Sequence, residues 1–226
     1  MAATDGEPRT RVGEPGADPR PPAVTFVTTE HFVLQGARAA TIAESTGRAT
    51  MFLAAVSGGL VALGLVATAS RVGTAFYAFG LVLLPTLAFV GLVTFERVLQ
   101  SGIEDRGYAR RIALLRGYYF ENAPELAPYL LSVPPSERLS VQGILGGRWQ
   151  GFRTVAGMVG VITSVLAGST AALAAIEISD HSLGAALTAG ALVFVAALVA
   201  LMRFQRSAWA RAAATPLIAE EDPGRS

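Results

Sequence analysis

Five arginines and three acids crowd into positions 96–120, ERVLQSGIEDRGYARRIALLRGYYF: Arg97, Arg106, Arg110, Arg111 and Arg116 beside Glu96, Glu104 and Asp105. Such groups can trade protons, grip a phosphate or face an anionic surface. Farther along, Glu177, Asp180 and His181 stand close enough in sequence for a metal contact, and His31 is the only other imidazole. No further ligand set accompanies that trio, so an acidic polar loop is its better reading. GRATMFL at 47–53 and GILGGRW at 143–149 look like phosphate loops, yet neither carries GxxxxGK[ST] or a GxGxxG strand-to-helix context. A G-x-S-x-G elbow with a local histidine partner is also missing. Carboxylate pairs occur in the polar segments, but nothing in their spacing points to acid–base catalysis.

Composition removes whole classes of chemistry. All eighteen basic residues are arginines and there is no cysteine. Lysine Schiff bases, phosphate-loop lysines, thiol nucleophiles, disulfides and cysteine-bound metals are therefore excluded. The formal charge of +1 supplies no field that would draw nucleic acid, and no cofactor is implied. Of the 226 residues, 52% are hydrophobic and 15% charged, against roughly 25% charged in an ordinary soluble domain.

The apolar residues gather in four blocks, at 49–69, 74–95, 155–176 and 183–202. Each is about 20 residues long, the length of helix that crosses a hydrocarbon core. Buried core helices of a soluble domain are the competing reading. A chain of this size could not cover four such helices on every side. The fold class expected is thus all-α, a four-transmembrane-helix protein made of two hairpins with cytoplasmic amphipathic helical extensions. SRVG and EISDHS are the tight turns of the hairpins.

Charge sets the orientation. Eight arginines fall in 96–154, Arg203, Arg206 and Arg211 follow the last span, and Arg38 and Arg48 precede the first, while the two tight turns hold only Arg71. The positive-inside rule puts both termini and the central segment in the cytoplasm of a multi-pass cell-membrane protein. Phe76, Tyr77 and Phe79 near one end, with Trp149, Phe152 and Trp209 near the other, suit the two interfaces. The expected organisation is a disordered tail at 1–28, which lacks the pattern of a signal peptide; an approach helix and first hairpin at 29–95; a helical linker at 96–154; a second hairpin at 155–202; and a tail at 203–226.

Within the third span, Ala156, Gly160, Ser164, Gly168 and Ala172 recur every four residues. One face of that helix is small along its length, which permits close approach of another helix, within the protomer or from a second copy. Ala54, Gly58 and Ala62 repeat the device more briefly in the first span, and Pro85 should kink the second. No Asp, Glu, His, Arg or Lys lies inside any span, where pumps and proton-coupled carriers keep such groups.

Thr29 is the expected N-cap of the approach helix, with Phe32, Gln35, Ala39, Ile42 and Thr46 as its modest apolar face and Glu44–Arg48 as an i,i+4 pair. That helix either lies along the membrane or extends below it. In the opening stretch, Phe95, Val98, Leu99 and Ile103 form one stripe, and Tyr108, Ile112, Leu115 and Tyr119 form another on a different side. The change implies a bend or register shift around Gly102 and Gly107. Asn122 and Glu125 make a capping box for a further turn, and SERLSVQGILGGRW supplies another short amphipathic piece.

Three segments, GRATMFL, AFYAFGLVLLP with TFERVLQSG, and YARRIALLRGYYF, together resemble a largely uncharacterised family of small actinobacterial multi-span integral membrane proteins; the resemblance covers roughly 29–205. It implies a multi-span helical protein and brings no catalytic residue or substrate. Two functions compete. One is a non-enzymatic membrane scaffold or regulatory subunit, whose cytoplasmic layer binds another protein or a second copy. The other is an oligomeric channel or small transporter, with Ser164 or Pro85 on its path. Arg97, Arg106, Arg110 and Arg111 are candidates for contact with anionic lipid or a partner.

Overall fold

In the computed structural model, the described residues, 21–122, 154–179 and 182–215, fold into four helices. They are α1 (Pro21–Ser70), α2 (Thr74–Asn122), α3 (Val155–Ile178) and α4 (Leu183–Ala214). Every one is long and apolar enough to cross a membrane, the architecture of a multi-pass membrane protein. The 50 residues of α1 reach roughly 75 Å at 1.5 Å each, more than twice the about 30 Å of a hydrocarbon core. Much of α1 and α2 therefore projects past the apolar layer.

The helices begin and end where local chemistry allows. Pro21 and Pro22 occupy the first turn of α1, where a missing N–H costs nothing. The helix thus starts eight residues before Thr29, which corrects the N-cap expected there. Thr29 is interior, and its hydroxyl donates to the Thr25 carbonyl at 2.8 Å. At the other end, the Val72 N–H reaches back to the Ala67 carbonyl at 3.0 Å, with Arg71 and Val72 at φ 50° and 57°. That six-residue closure stops α1 and turns the chain into α2 within three residues. α2 stays helical through Pro85, Gly102 and Gly107. The Thr154 hydroxyl caps α3 by accepting from the Gly157 N–H at 3.0 Å. Ser182 caps α4 in the same manner, accepting from the Ala185 N–H.

The four helices pack as a sequence of neighbours. α2 lies between α1 and α3, α3 lies between α2 and α4, and α1 and α4 stand at the two ends. Their shared core joins Phe52 and Val56 of α1, Leu84, Leu87, Phe95, Val98 and Leu99 of α2, and Ala156, Val159 and Leu166 of α3. Outward, Met51, Leu65, Val82, Phe89, Leu187 and Leu192 are all exposed. Large apolar side chains thus face outward as well as inward, as on helices whose solvent is lipid.

α4 also continues twelve residues past the end of the apolar block at 202. Positions 203–214, expected as tail, are a helix whose Gln205 is buried and whose Trp209 packs on the core. Of the disordered tail expected at 1–28, residues 21–28 are instead the start of α1; residues 1–20, Glu125 of the expected capping box, the amphipathic piece at 136–149, Trp149, Phe152, Asp180 and His181 lie outside the described residues.

Candidate functional site

Two regions gather the residues singled out by the sequence: the polar extensions of α1 and α2, and the small-residue face of α3. In the extensions, Arg38 Nε donates to Asp105 Oδ1 at 2.7 Å across 67 positions of sequence. Leu34 and Ile112, both buried, lie farther from the spans than this pair, and Thr41, also buried, donates its hydroxyl to the Arg38 carbonyl. The face of α1 turned inward is Val27, His31, Leu34, Arg38, Thr41, Ser45, Ala49, Phe52 and Val56, all buried or half-buried. Its steps of four and three residues are those of a coiled-coil seam. The expected apolar face of the approach helix points outward instead. Phe32 is 68% and Ile42 50% exposed, and Gln35, Ala39 and Thr46 are exposed with them.

The arginines do not converge. Arg97 is exposed, with Gln100 Oε1 at 3.5 Å. Arg106 sits over the Trp209 ring, 5.6 Å from its centroid, a cation–π contact of about 0.5–1 kcal/mol. Arg110 is half-buried and Arg111 exposed. Among the described residues, no group of three His, Asp or Glu side chains stands ready to hold a metal. Arg106 is thus engaged with α4, and Arg97 and Arg111 remain turned outward.

Both stripes of α2 face inward as far as Leu115, and the reason is a change of neighbour. The ring of Phe95 meets Phe204 of α4 at 6.5 Å, and a side chain at Gly160 of α3 would touch it. Gly102 lies under the Trp209 ring. Beyond that level α2 packs on α1, where Asp105 meets Arg38 and the charge of Arg116 disfavours a protonated His31. Among the described residues, α2 thus keeps α1 and leaves α3 and α4 behind, and its apolar stripe moves accordingly within a helix that stays continuous through Gly102 and Gly107.

On α3 the four-residue repeat is buried between α2 and α4 from Ala156 to Gly168, with Ala172 half-buried. A Cβ built on Gly168 would stand 2.7 Å from the Gly190 carbonyl oxygen and 2.9 Å from Phe194 Cβ. One built on Gly190 would lie 3.0 Å from Ala172 Cβ. Gly160 faces Phe95 and Met202, Ala156 is buried, and Ser164 is 0% exposed. The stripe therefore brings two helices of the same chain together. Gly58, of the shorter stripe on α1, faces open space among the described residues.

Six hydroxyls inside the spans are already used. Thr86, Thr94, Thr163, Ser164, Thr170 and Thr188 each donate to the carbonyl four residues back in their own helix, at 2.7–2.8 Å. Between α2, α3 and α4 opens a groove of about 290 Å³, lined by Ala88, Phe89, Leu92, Thr163, Ala167, Ala197, Ala200 and Leu201. No local sequence pattern marks it, because it is made largely by alanines on three separate helices.

Comparison with protein-family models, with curated proteins and with solved structures returns no match.

Two predictions arise in the extensions. The Arg38 and Asp105 side chains are 37% and 28% exposed, so Asp105→Asn should cost less than about 1 kcal/mol. Its effect should be local, as faster amide exchange at 34–41 and 105–112, with recovery in the charge-reversed double variant. His31 is held below its usual range by burial first and Arg116 second. Its Nε2 lies 2.6 Å from Gln35 Nε2, a donor that suits a neutral ring nitrogen. The folded state therefore binds fewer protons than the unfolded one. This contribution is complete above the free-histidine value of about 6.5 and is lost as pH falls below it toward the lower folded value. Amide exchange at 27–38, corrected for intrinsic rates, should show reduced protection on acidification, and His31→Gln should flatten that dependence.

Proposed function

We propose that this protein is a non-enzymatic membrane scaffold or regulatory subunit of the cell membrane. Its spans form two transmembrane hairpins with both termini in the cytoplasm, and its amphipathic extensions offer a cytoplasmic surface to another protein or to a second copy. The observation that carries this reading is the outer face of the α1 extension. Phe26, Phe32, Val33 and Ile42 are exposed there, beyond the level of the spans, while Arg38 and Asp105 hold the same helix to α2 on its other side. Exposed apolar side chains on a helix already anchored elsewhere are a surface for a partner helix.

The channel reading has less support. Ser164 is enclosed in the protomer and its hydroxyl is committed to the Gly160 carbonyl. Thr86, Thr94, Thr163, Thr170 and Thr188 likewise serve their own backbones, and the absence of charge at membrane depth agrees.

The test has two arms. Protein reconstituted in sealed vesicles should pass no ions above the protein-free rate. A photocrosslinking residue at Phe32 or Ile42, introduced in cells, should capture one reproducible partner, and one at the lipid-facing Met51 should not. Conductance that responds to Ser164→Val or Pro85→Ala would replace this reading with the channel.

A further inference from the structure

The groove between α2 and α4 lies at the depth of the spans, so what surrounds it is hydrocarbon. Its floor is Thr163 and Ala167 of α3, and its walls are Ala88, Phe89 and Leu92 against Ala197, Ala200 and Leu201. Thr163, the one polar lining residue, gives its hydroxyl to the Val159 carbonyl. Nothing in the groove asks for a polar ligand. The mouth is open, with Phe89 67% exposed.

What lies above the groove is polar. Ala197, Ala200, Phe204, Ser207 and Arg211 follow one another at steps of three, four, three and four, which sets them on one face of α4. Arg211 does not extend away from the membrane. Its Nη1 donates back to Ser207 Oγ at 2.9 Å, one turn nearer the groove. On the facing rim, α2 presents the exposed Glu96 one turn beyond Leu92, at the level where Phe95 meets Phe204. An apolar slot thus ends, on the arginine-rich side, in one guanidinium and one carboxylate.

We propose that this groove is a binding site for a zwitterionic phospholipid of that leaflet. One acyl chain lies along Ala88, Leu92, Ala197 and Ala200, the phosphate meets Arg211 and Ser207, and a headgroup ammonium faces Glu96. A guanidinium recognises phosphate through parallel N–H donors, and the opposed carboxylate selects against a purely anionic headgroup. The proposal rests on the spans lying in a bilayer and is independent of the scaffold role.

The experiment uses the full chain in vesicles containing phosphatidylethanolamine with a photoactivatable diazirine on its acyl chain. Labelling should concentrate on 88–92 and 197–201 over Met51 and Val61 of α1, which are as exposed as Phe89 is. Ala200→Phe, at an exposed position, should fill the slot and abolish that excess. Arg211→Gln should lower it about five-fold, the equivalent of about 1 kcal/mol for one arginine at a phosphate surface. Melting of both variants in detergent shows whether they fold, and Arg211→Gln, wholly outside the packed spans, keeps the test open if Ala200→Phe does not. The same probe with a glycerol headgroup should label the groove less. Even labelling of α1 and the groove would overturn the site. So would a dimer that Ala200→Phe converts to monomer while lipid labelling stays the same. A glycerol probe that labels as strongly would overturn the headgroup assignment.

Discussion

Gly168→Leu should destabilise the protein by about 3 kcal/mol or more and separate α4 from α3. The first atom of the new side chain meets the Gly190 carbonyl oxygen at 2.7 Å and Phe194 Cβ at 2.9 Å. Neither is the free end of a flexible side chain, so relief requires the helices themselves to part. Gly160→Leu should be milder, because its Cβ meets the Phe95 ring at 3.2 Å and the mobile end of Met202 at 3.4 Å. Gly58→Leu is the control, for its Cβ enters open space. Thermal unfolding in detergent should rank the three as Gly168, Gly160, Gly58. If Gly168→Leu accumulates and melts like the parent, α3 and α4 do not meet as described.

Gly91→Ala carries the second large effect, although it adds one methyl. That methyl collides with the Thr163 hydroxyl and with the Phe52 ring, whose nearest atom is 2.8 Å away. Phe52 is 2% exposed and has nowhere to withdraw, and the Thr163 hydroxyl is tied to the Val159 carbonyl at 2.8 Å. A cost of about 1–3 kcal/mol is expected from overpacking at this crossing of α1, α2 and α3. Thr163→Ala should recover part of it, since it removes one of the two obstacles, and the double variant should deviate from additivity by more than about 0.5 kcal/mol. Purely additive effects would mean that Gly91 and Thr163 are not in contact.

The spans were legible because lipid imposes the simplest pattern there is, and the small-residue period of α3 was legible because close helix approach needs it. The seam between the α1 and α2 extensions was not. Its period of three and four is present, but His31, Arg38, Thr41 and Ser45 fill it in place of aliphatics. A hydrophobic reading therefore falls on Phe32, Ala39 and Ile42, which are exposed. Arg38 faces inward beside Asp105, a partner 67 positions away that no local pattern announces. The α4 extension was hidden in the same way. Met202, Gln205 and Trp209 share its inner face, yet Arg203 and Arg206 between them read as a solvated tail. The stripe change on α2 was visible, whereas its cause, the loss of α3 and α4 as neighbours, belongs to the tertiary structure.

In the proposed topology the extensions of α1, α2 and α4 share the cytoplasmic side, opposite the two tight turns. Because the chain has no cysteine, single cysteines labelled with an impermeant maleimide on intact cells test this arrangement. Cysteines replacing Val72 and Ser182 should label at once. Those replacing Phe32, Leu114 and Ala213 should label only after permeabilisation. Immediate labelling at Phe32 or Leu114, or one shared behaviour for Val72 and Phe32, would contradict the topology.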